Sequence, residues 1–219
     1  MGRRFGGVKQ FELLAGRPVH EWAIEGVRSV AEGVVLVVPA EYSSQAPLVD
    51  AADRVVSGGI TRSQSVRAGL ACVPEEAVIV VIHDAVRPLA SAALFQAVVG
   101  AIADGIDGAI PGLPMLDTVK LVDGGVVQRT LDRRAVVRVQ TPQAFRASAL
   151  RRAHEGEPDA TDDAALVESA GGTIVVVPGE EGNLKITSPE DLALMEWHRT
   201  RIHRAEPHRP GDVAARRPG

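Results

Sequence analysis

Residues 78–88 read Val78-Ile79-Val80-Val81-Ile82-His83-Asp84-Ala85-Val86-Arg87-Pro88, and this stretch decides the fold class. It begins with an unbroken apolar, β-branched run, which is typical of a strand buried on both faces of a parallel sheet. Ligands of open α/β sheets bind beyond the carboxyl ends of such strands. Asp84 stands at that end, where a carboxylate suits Mg²⁺ on the phosphates of a nucleotide. Capping of a helix or pairing with Arg87 would account for Asp84 equally well.

The same alternation of strand-like and helix-like segments continues on both sides of this stretch. Short β-branched runs alternate with amphipathic stretches, so we predict an α/β domain whose mostly parallel sheet carries helices on both faces. The predicted strands are Val34–Val38, Arg54–Val56, Val78–His83, Gly108–Pro111, Val136–Gln140 and Thr173–Val177. The predicted helices are Val19–Val30, Ser63–Ala71, Ser91–Ala103, Ala147–His154, Asp162–Ala170 and Pro189–Arg204.

Between Leu116 and Leu131 the pattern changes to two alternating runs around Asp123-Gly124-Gly125. An Asp-Gly-Gly sequence between such runs predicts a β-hairpin. A hairpin inserted in a parallel α/β domain projects from it, and projecting arms often grip a second subunit. We therefore predict a dimerisation arm at about residues 116–131.

The composition limits the kind of partner. A chain of 219 residues that is 45% apolar can bury one α/β core, so we predict a single domain over 1–204 and a disordered tail over 205–219. The net charge of −4 and the 3% aromatic content argue against nucleic-acid binding. Cys72 is the only cysteine, which excludes an internal disulfide and favours a cytoplasmic protein. No apolar stretch reaches membrane-spanning length.

Two glycine-containing stretches have the composition of nucleotide-binding loops. Gly58-Gly59-Ile60-Thr61-Arg62-Ser63-Gln64-Ser65 runs from a predicted strand into a helix, and its glycines permit close approach of a ligand. An ordinary strand-to-helix turn is the alternative. Gly2-Arg3-Arg4-Phe5-Gly6-Gly7-Val8-Lys9 combines flexible backbone with three cations, which suits a triphosphate. A basic N-terminal tail would have the same composition.

Two further patterns involve charged or polar side chains. Thr161-Asp162-Asp163 opens a predicted helix, where Thr161 serves either as a cap or as a phosphate ligand. Only three of the 24 basic residues are lysine, namely Lys9, Lys120 and Lys185. Lysine offers a compact point charge where arginine offers a planar fork, so each retained lysine is a candidate for binding one phosphate oxygen. Chance in an arginine-rich sequence is the alternative.

Taken together, these segments resemble the 2-C-methyl-D-erythritol 4-phosphate cytidylyltransferases of the non-mevalonate isoprenoid pathway. The resemblance extends from residue 2 to about residue 200, with the motifs in the family's order. The matching pieces are Gly2-Arg3-Arg4 with Lys9-Gln10, Gly58-Gly59 with Arg62 and Ser65-Val66, His83-Asp84-Ala85-Val86-Arg87-Pro88, Asp117-Thr118-Val119-Lys120, Asp132-Arg133, Gln140-Thr141-Pro142-Gln143, Thr161-Asp162-Asp163, and Asn183-Leu184-Lys185-Ile186-Thr187 before Pro189-Glu190-Asp191-Leu192.

The resemblance implies a Rossmann-like fold and transfer of a cytidylyl group from CTP to methylerythritol phosphate, with Mg²⁺ and release of pyrophosphate. It implies that Arg4 and Lys9, in a loop that includes Gly2, hold the triphosphate and stabilise the transition state. Asp84 would position Mg²⁺, and Lys185 would neutralise charge near the reacting phosphates. The residues that match the cytidine-binding stretch are Gly58, Gly59 and Ser65.

The resemblance also implies where the acceptor binds. Thr141 and Thr161 match residues that line the methylerythritol phosphate site. The arm of a partner subunit would complete this site with the residues matching Thr118 and Arg133, so a homodimer is expected. For Lys120 we expect a role on or near the arm.

Two departures from the family pattern affect these expectations. Ile60 stands where some relatives carry an acidic or polar residue near the base, so a contact there must come from the backbone. The family also has a strand and an Ala-Ala-Gly turn before the residues matching Gly2-Arg3-Arg4, and this sequence has neither. We expect that strand at the middle of the sheet, and we expect Met1 to be an internal codon taken as the start. The 219-residue form is then expected to be poorly stable and nearly inactive.

Two other functions fit the same sequence. Cytidylyltransferases for other sugar-alcohol phosphates, notably ribitol 5-phosphate, share most of these motifs. A catalytically inactive relative could instead retain the dimeric fold as a binding module. Detection of CDP-methylerythritol by mass spectrometry would separate the first function from both alternatives.

Overall fold

The computed structural model describes residues 9–44 and 52–205, with side chains through residue 199. The predicted loop residues Gly2 and Arg4, and residues 206–219 of the predicted tail, lie outside this part of the chain. The strands are β1 Leu13–Leu14, β2 Arg17–Pro18, β3 Val35–Val38, β4 Arg54–Ser57, β5 Ile79–Ile82, β6 Gly108–Pro114, β7 Val119–Asp123, β8 Val126–Leu131, β9 Val137–Val139, β10 Gln143–Arg146 and β11 Ile174–Pro178. The helices are α1 Val19–Val27, α2 Arg62–Leu70, α3 Ala92–Gly100, α4 Ala147–Ala153, α5 Asp163–Ser169 and α6 Pro189–Ala205.

Each of the predicted strands and helices has a counterpart whose ends differ by at most three residues. The α/β class is therefore confirmed. The sequence analysis missed β10, because a four-residue strand with polar residues at both ends carries little periodic signal. No helix within 9–44 or 52–205 is both long and apolar enough to cross a bilayer.

The largest sheet has five strands in the order β11-β6-β10-β5, and β9 also pairs with β6. Strand β11 runs parallel to β6, whereas β10 runs antiparallel to both β6 and β5. The mostly parallel sheet expected from the sequence is therefore mixed among the described strands. Successive β10 residues face opposite sides, so Ala144 packs with α3 and Phe145 packs with α4 and α5. Helices thus cover both faces, as predicted.

A separate two-stranded sheet consists of β3 and β4, which run parallel to each other. Its core includes Ile24 of α1 together with Val34, Leu36 and Val38. Among the described residues, neither strand pairs with the five-stranded sheet, and β5 is the last strand of that larger sheet. Each sheet therefore has an edge without a described strand partner.

Helix α2 contacts both sheets. A Cβ added to its Gly69 would lie 2.9 Å from a Val37 methyl group of β3, so the helix packs closely on the smaller sheet. Leu70, the next residue, packs on the cluster that includes Val80 and Ile82 of β5. Helix α2 therefore links the two sheets.

The predicted hairpin is present as the antiparallel pair β7 and β8, with Val119 opposite Leu131. Gly124 and Gly125 both have positive φ values, 54° and 81°, which suits the tight turn that an Asp-Gly-Gly sequence predicts. The pair forms its own two-stranded sheet, and four of its apolar side chains are exposed: Leu121, Val122, Val126 and Val127.

Candidate active site

Asp84 lies just beyond the carboxyl end of β5, where the apolar run stops. Its Oδ2 atom is 2.7 Å from Nζ of Lys185 and 3.8 Å from Nε of Arg87. The Asp84 side chain is 19% exposed and that of Lys185 is 45% exposed. The structure therefore brings the predicted metal ligand and one predicted catalytic lysine into contact, with the ammonium at the solvent side of the pair. The alternative partner, Arg87, is also present but more distant.

The hydroxyl group of Thr141 holds the backbone of the Asp84 loop. Its oxygen accepts a hydrogen bond from the Asp84 N–H at 3.0 Å and lies 3.2 Å from Nδ1 of His83. Nε2 of His83 lies 3.0 Å from the carbonyl oxygen of Arg87. A neutral His83 protonated on Nε2 satisfies both contacts, because it donates to the carbonyl and accepts from the hydroxyl. Thr141 thus helps to fix the position of Asp84.

Asn183 joins the loop of Lys185 to the same network. Its buried side chain donates through Nδ2 to the carbonyl oxygen of Thr141 at 2.8 Å. The backbone carbonyl oxygen of Asn183 accepts hydrogen bonds from Nη1 of Arg87 at 2.8 Å and from Nε2 of Gln140 at 3.1 Å. The segments that contain Arg87, Thr141 and Asn183 are distant in sequence but are hydrogen-bonded to one another beside Asp84. These hydrogen bonds are buried or partly buried.

The electrostatics of this cluster keep the Asp84 carboxylate ionised. Burial raises the pKa of Asp84, but Lys185, Arg62 and Arg87 outweigh burial and hold the pKa below its ordinary value. Burial lowers the pKa of His83 to about 4, so its imidazole is neutral at physiological pH. Asp84 therefore carries the negative charge of this cluster, and His83 contributes hydrogen bonds without charge.

The stretch from Gly58 to Ser65 connects β4 to α2 and uses its own N–H groups internally. The N–H of Gly58 donates to Val38 of β3, and that of Gly59 donates to the Ser65 hydroxyl. The N–H groups of residues 60 and 61 both donate to Oε1 of Gln64, which closes a capping box at the start of the helix. A Cβ at Gly59 would lie 2.3 Å from Cβ of Gln64, so only glycine fits there.

The start of α5 lies beside both of these segments. Asp162 caps the helix through Ala165 and accepts from Nε2 of Gln143, which pairs with Ile82 in the sheet. Asp163 is fully buried, and its Oδ2 is 2.6 Å from Nη1 of Arg62. Thr161, which immediately precedes these residues, is exposed. The predicted acceptor segment is therefore connected to the predicted nucleotide-binding stretch on one side and to β5 on the other.

Three predicted site residues make no hydrogen bond or ion pair with Asp84 in the described part of the chain. Lys9 begins a short 3-10 turn, Lys9–Phe11, and makes no ion pair with Asp84. Thr118 is exposed beside the base of the hairpin, and the exposed Arg133 donates from Nη1 to the carbonyl oxygen of Leu116. Gly2 and Arg4 lie outside the described residues.

Asp84 is the carboxylate that would hold Mg²⁺ at this site. Within the described ranges, 9–44 and 52–205, no three His, Cys, Asp or Glu side chains form a cluster that could hold a metal ion. Mg²⁺ at nucleotide sites commonly takes one or two carboxylates and completes its shell with phosphate oxygens and water. A single ionised Asp84 fits that arrangement, in which the nucleotide supplies most of the ligands.

Sequence reasoning did not assign roles to several residues that hold the site together. Arg62 lay in a quoted motif but was given no role, and its partner Asp163 is about a hundred positions away, so no spacing could link them. Asn183 and Gln140 likewise stood in quoted motifs. A buried amide near Lys185 gives no periodic signal in the sequence, and only the folded structure shows which groups it binds.

Comparison with known proteins gives consistent results. The family model described as 2-C-methyl-D-erythritol 4-phosphate cytidylyltransferase matches residues 1–201. A relative with that name from Rubrobacter xylanophilus is 42% identical over 205 residues, which is 89% of each chain. A bifunctional IspD/IspF enzyme from Nitratidesulfovibrio vulgaris is 41% identical over 210 residues, and the chain spans 53% of its length.

Solved structures show the same similarity. The 2-C-methyl-D-erythritol 4-phosphate cytidylyltransferase of Thermus thermophilus is 34% identical, with a TM-score of 0.76 over 88% of this chain and 94% of that one. The 4-diphosphocytidyl-2C-methyl-D-erythritol synthase of Anaerococcus prevotii is 30% identical, with a TM-score of 0.79 over 86% of this chain and 88% of that one. The chain therefore belongs to the 2-C-methyl-D-erythritol 4-phosphate cytidylyltransferase family.

Proposed function

We propose that the protein transfers a cytidylyl group from CTP to 2-C-methyl-D-erythritol 4-phosphate and releases pyrophosphate. The observation that carries this proposal is the ion pair between Asp84 and Lys185 just beyond the carboxyl end of β5. It places a fixed anion next to a partly exposed ammonium, at the edge of the sheet where α/β folds bind nucleotides. The family membership supplies the two substrates.

The arrangement suits in-line attack of one phosphate on another. The acceptor phosphate oxygen forms a bond to the α-phosphorus of CTP as the bond to pyrophosphate breaks, and negative charge accumulates at the crowded phosphorus. Lys185, which is 45% exposed, would offset that charge while it remains paired with Asp84. Mg²⁺ held by Asp84 would add positive charge and orient the phosphate oxygens. Arg4 and Lys9 are proposed to hold the rest of the triphosphate.

The backbone of the Gly58–Ser65 stretch supports recognition of cytosine. The N–H groups of residues 58–61 donate within the protein, and the carbonyl oxygens of Gly59 and Thr61 accept from Ser65, so a ligand would meet the remaining carbonyl oxygens of this loop. Cytosine carries an exocyclic amine, which donates hydrogen bonds, whereas uracil has a carbonyl oxygen at that position. The loop is therefore better matched to CTP than to UTP. Ile60, 92% exposed, adds no polar group of its own.

We further propose that the enzyme is a cytoplasmic homodimer in which Thr118 and Arg133 complete the acceptor site of the partner. An isolated two-stranded hairpin is marginally stable in water, and exposed Val122 and Val126 favour burial against another surface. Thr141 and Thr161 would line the same acceptor site from their own subunit.

Two experiments test these proposals. Incubation of the purified protein with CTP, Mg²⁺ and methylerythritol phosphate should give CDP-methylerythritol and pyrophosphate by mass spectrometry, and the same mixture with ribitol 5-phosphate should not. Product from ribitol 5-phosphate alone would reassign the acceptor, and no product from either would favour the inactive relative.

The shared site is tested by complementation. Arg133→Ala and Asp84→Asn homodimers should each be inactive, but heterodimers of the two should regain one intact site. Verified heterodimers without activity would place both residues in the same subunit's site, or place Arg133 outside it.

A further inference from the structure

Asp163 forms a charged cluster that the proposed chemistry does not use directly. Its side chain is fully buried, and its two oxygens have different partners. Oδ2 lies 2.6 Å from Nη1 of Arg62, and Oδ1 lies 3.1 Å from Nε2 of His154, whose side chain is 3% exposed. A carboxylate is buried in this way only when it is paired, because desolvation of a lone charge is costly.

The cluster joins the elements proposed to bind the two substrates. Arg62 is the first residue of α2, within the stretch that contains Gly59 and Ser65. Asp163 is the first residue of α5, two positions after Thr161. A hydrogen bond also connects these two elements, because the Ser63 hydroxyl of α2 accepts from the N–H of Ala160, just before Thr161, at 3.2 Å.

The charge of Arg62 also acts on Asp84, while its side chain is held at the start of α5. The start of α5 is fixed to β5, because Asp162 accepts from Gln143 and Gln143 pairs with Ile82. One guanidinium nitrogen of Arg62 is buried against Asp163, whereas the side chain as a whole is 25% exposed. The positive charge of Arg62 contributes to the lowered pKa of Asp84, which agrees with this placement.

We propose that Arg62 is a positioning residue for the transfer reaction, held by buried Asp163 so that the nucleotide-binding stretch and the Thr161 segment stay aligned. This inference rests on the proposed function. In-line attack requires the two phosphates to meet at a short distance and a fixed angle, and a misplacement of about 1 Å costs on the order of a hundredfold in rate. The cytidine contacts do not depend on Arg62, because Gln64 and Ser65 hold that loop independently.

The proposal predicts a specific division between binding and turnover. In Arg62→Lys the charge stays but the planar fork is lost, so kcat should fall by about tenfold to a hundredfold. The Kd for CTP, measured calorimetrically, should change by less than about threefold. Such a change is much smaller than the tenfold change in Kd that corresponds to about 1.4 kcal/mol of binding free energy. Arg67→Lys is the matched control, because Arg67 belongs to the same helix and donates to the Pro158 carbonyl oxygen of the same neighbouring segment at 2.8 Å. Its kcat should remain within about twofold, since it lacks the buried carboxylate partner.

Removal of one partner alone leaves a buried charge and could unfold the protein, so a double variant completes the test. Arg62→Gln with Asp163→Asn removes both charges and should recover a Tm close to that of the unsubstituted protein. Its kcat should still be reduced as in Arg62→Lys.

The outcomes separate this inference from the function on which it rests. A folded double variant with the unsubstituted kcat would overturn the positioning role, because the pair would then serve stability alone. An equal loss of kcat in Arg67→Lys would also overturn it, because any link between the two segments would then suffice. No product from the unsubstituted protein would instead overturn the proposed function, and this inference with it.

Discussion

The five-stranded sheet and the sheet of β3 and β4 carry different halves of the proposed active site and hold them in different ways. On the larger sheet, Asp84 is fixed by Thr141, and Thr141 is fixed by Asn183 from the loop that carries Lys185. On the smaller sheet, the Gly58–Ser65 stretch is held by bonds within itself and by one bond to β3. Its connections to the rest of the site run through α2 and the ion pair between Arg62 and Asp163.

This difference suggests that the two halves of the proposed site differ in how easily they open locally. Strands β6 and β10 are paired on both edges, whereas β3 and β4 pair only with each other among the described strands. Proteins open locally where few elements hold a segment, and such segments are often those that bind ligands. We therefore expect the half with Asp84 to be preorganised and the nucleotide half to be the more easily opened.

The largest effect is expected from the preorganised half. Asp84→Asn keeps the shape of the side chain but removes the charge that would hold Mg²⁺, so turnover should fall by orders of magnitude while the fold is retained. Asp104→Asn is the control, because Asp104 is fully exposed and lies 3.9 Å from its nearest cationic partner. Turnover and Tm of both variants should be measured together. A folded Asp84→Asn enzyme with near-normal turnover would remove Asp84 from the mechanism.

The second prediction concerns the edges of β3 and β5 that have no strand partner within residues 9–44 and 52–205. About a dozen residues added before Met1, forming an apolar strand and an Ala-Ala-Gly turn, should pair with these edges and raise both Tm and CTP affinity. Each large buried side chain contributes roughly 1.5–3 kcal/mol, so several of them amount to a large fraction of the roughly 5–15 kcal/mol typical of a domain. If the extended and unextended forms have the same Tm and the same CTP affinity, the two edges do not accept a strand.

The third prediction uses the scarcity of lysine. Lys185→Arg replaces a compact ammonium 2.7 Å from Asp84 with a larger planar group, so turnover should fall well beyond any change in stability. Lys9→Arg should behave similarly if Lys9 reaches the triphosphate. Lys120→Arg should be milder, because Lys120 donates to Thr130 on the exposed hairpin. Unaffected turnover in the first two variants would attribute the scarcity of lysine to base composition.

The smallest effect concerns pH and His83. Burial lowers its pKa to about 4 from an ordinary 6.5. Between these values the unfolded chain binds a proton that the folded chain does not, so the free energy of unfolding decreases as the pH falls through this window. Tm should therefore drop more between pH 7 and pH 5 in the unsubstituted protein than in His83→Asn. Equal drops would show that His83 titrates normally in the folded state.

Much of the fold and part of the site could be predicted from the sequence. The run from Val78 to Asp84 has a direct physical signal, because a buried strand must be apolar and its end is where polar residues return. The hairpin also has a direct physical signal, since Gly124 and Gly125 adopt the positive φ that its turn requires. The pairing of Arg62 with Asp163 has no such signal in the sequence, because two charged residues that are distant along the chain come into contact only after folding.

Amide hydrogen exchange tests the contrast between the two sheets most directly. In the protein without ligand, amides of β3 and β4 should exchange faster than those of β6 and β10 by at least about tenfold, which corresponds to about 1.4 kcal/mol of opening free energy. Addition of CTP with Mg²⁺ should slow amide exchange in residues 58–65. It should also reduce the difference in exchange rate between the two sheets. Equal protection of the two sheets without ligand, or no response of residues 58–65 to CTP, would contradict the account.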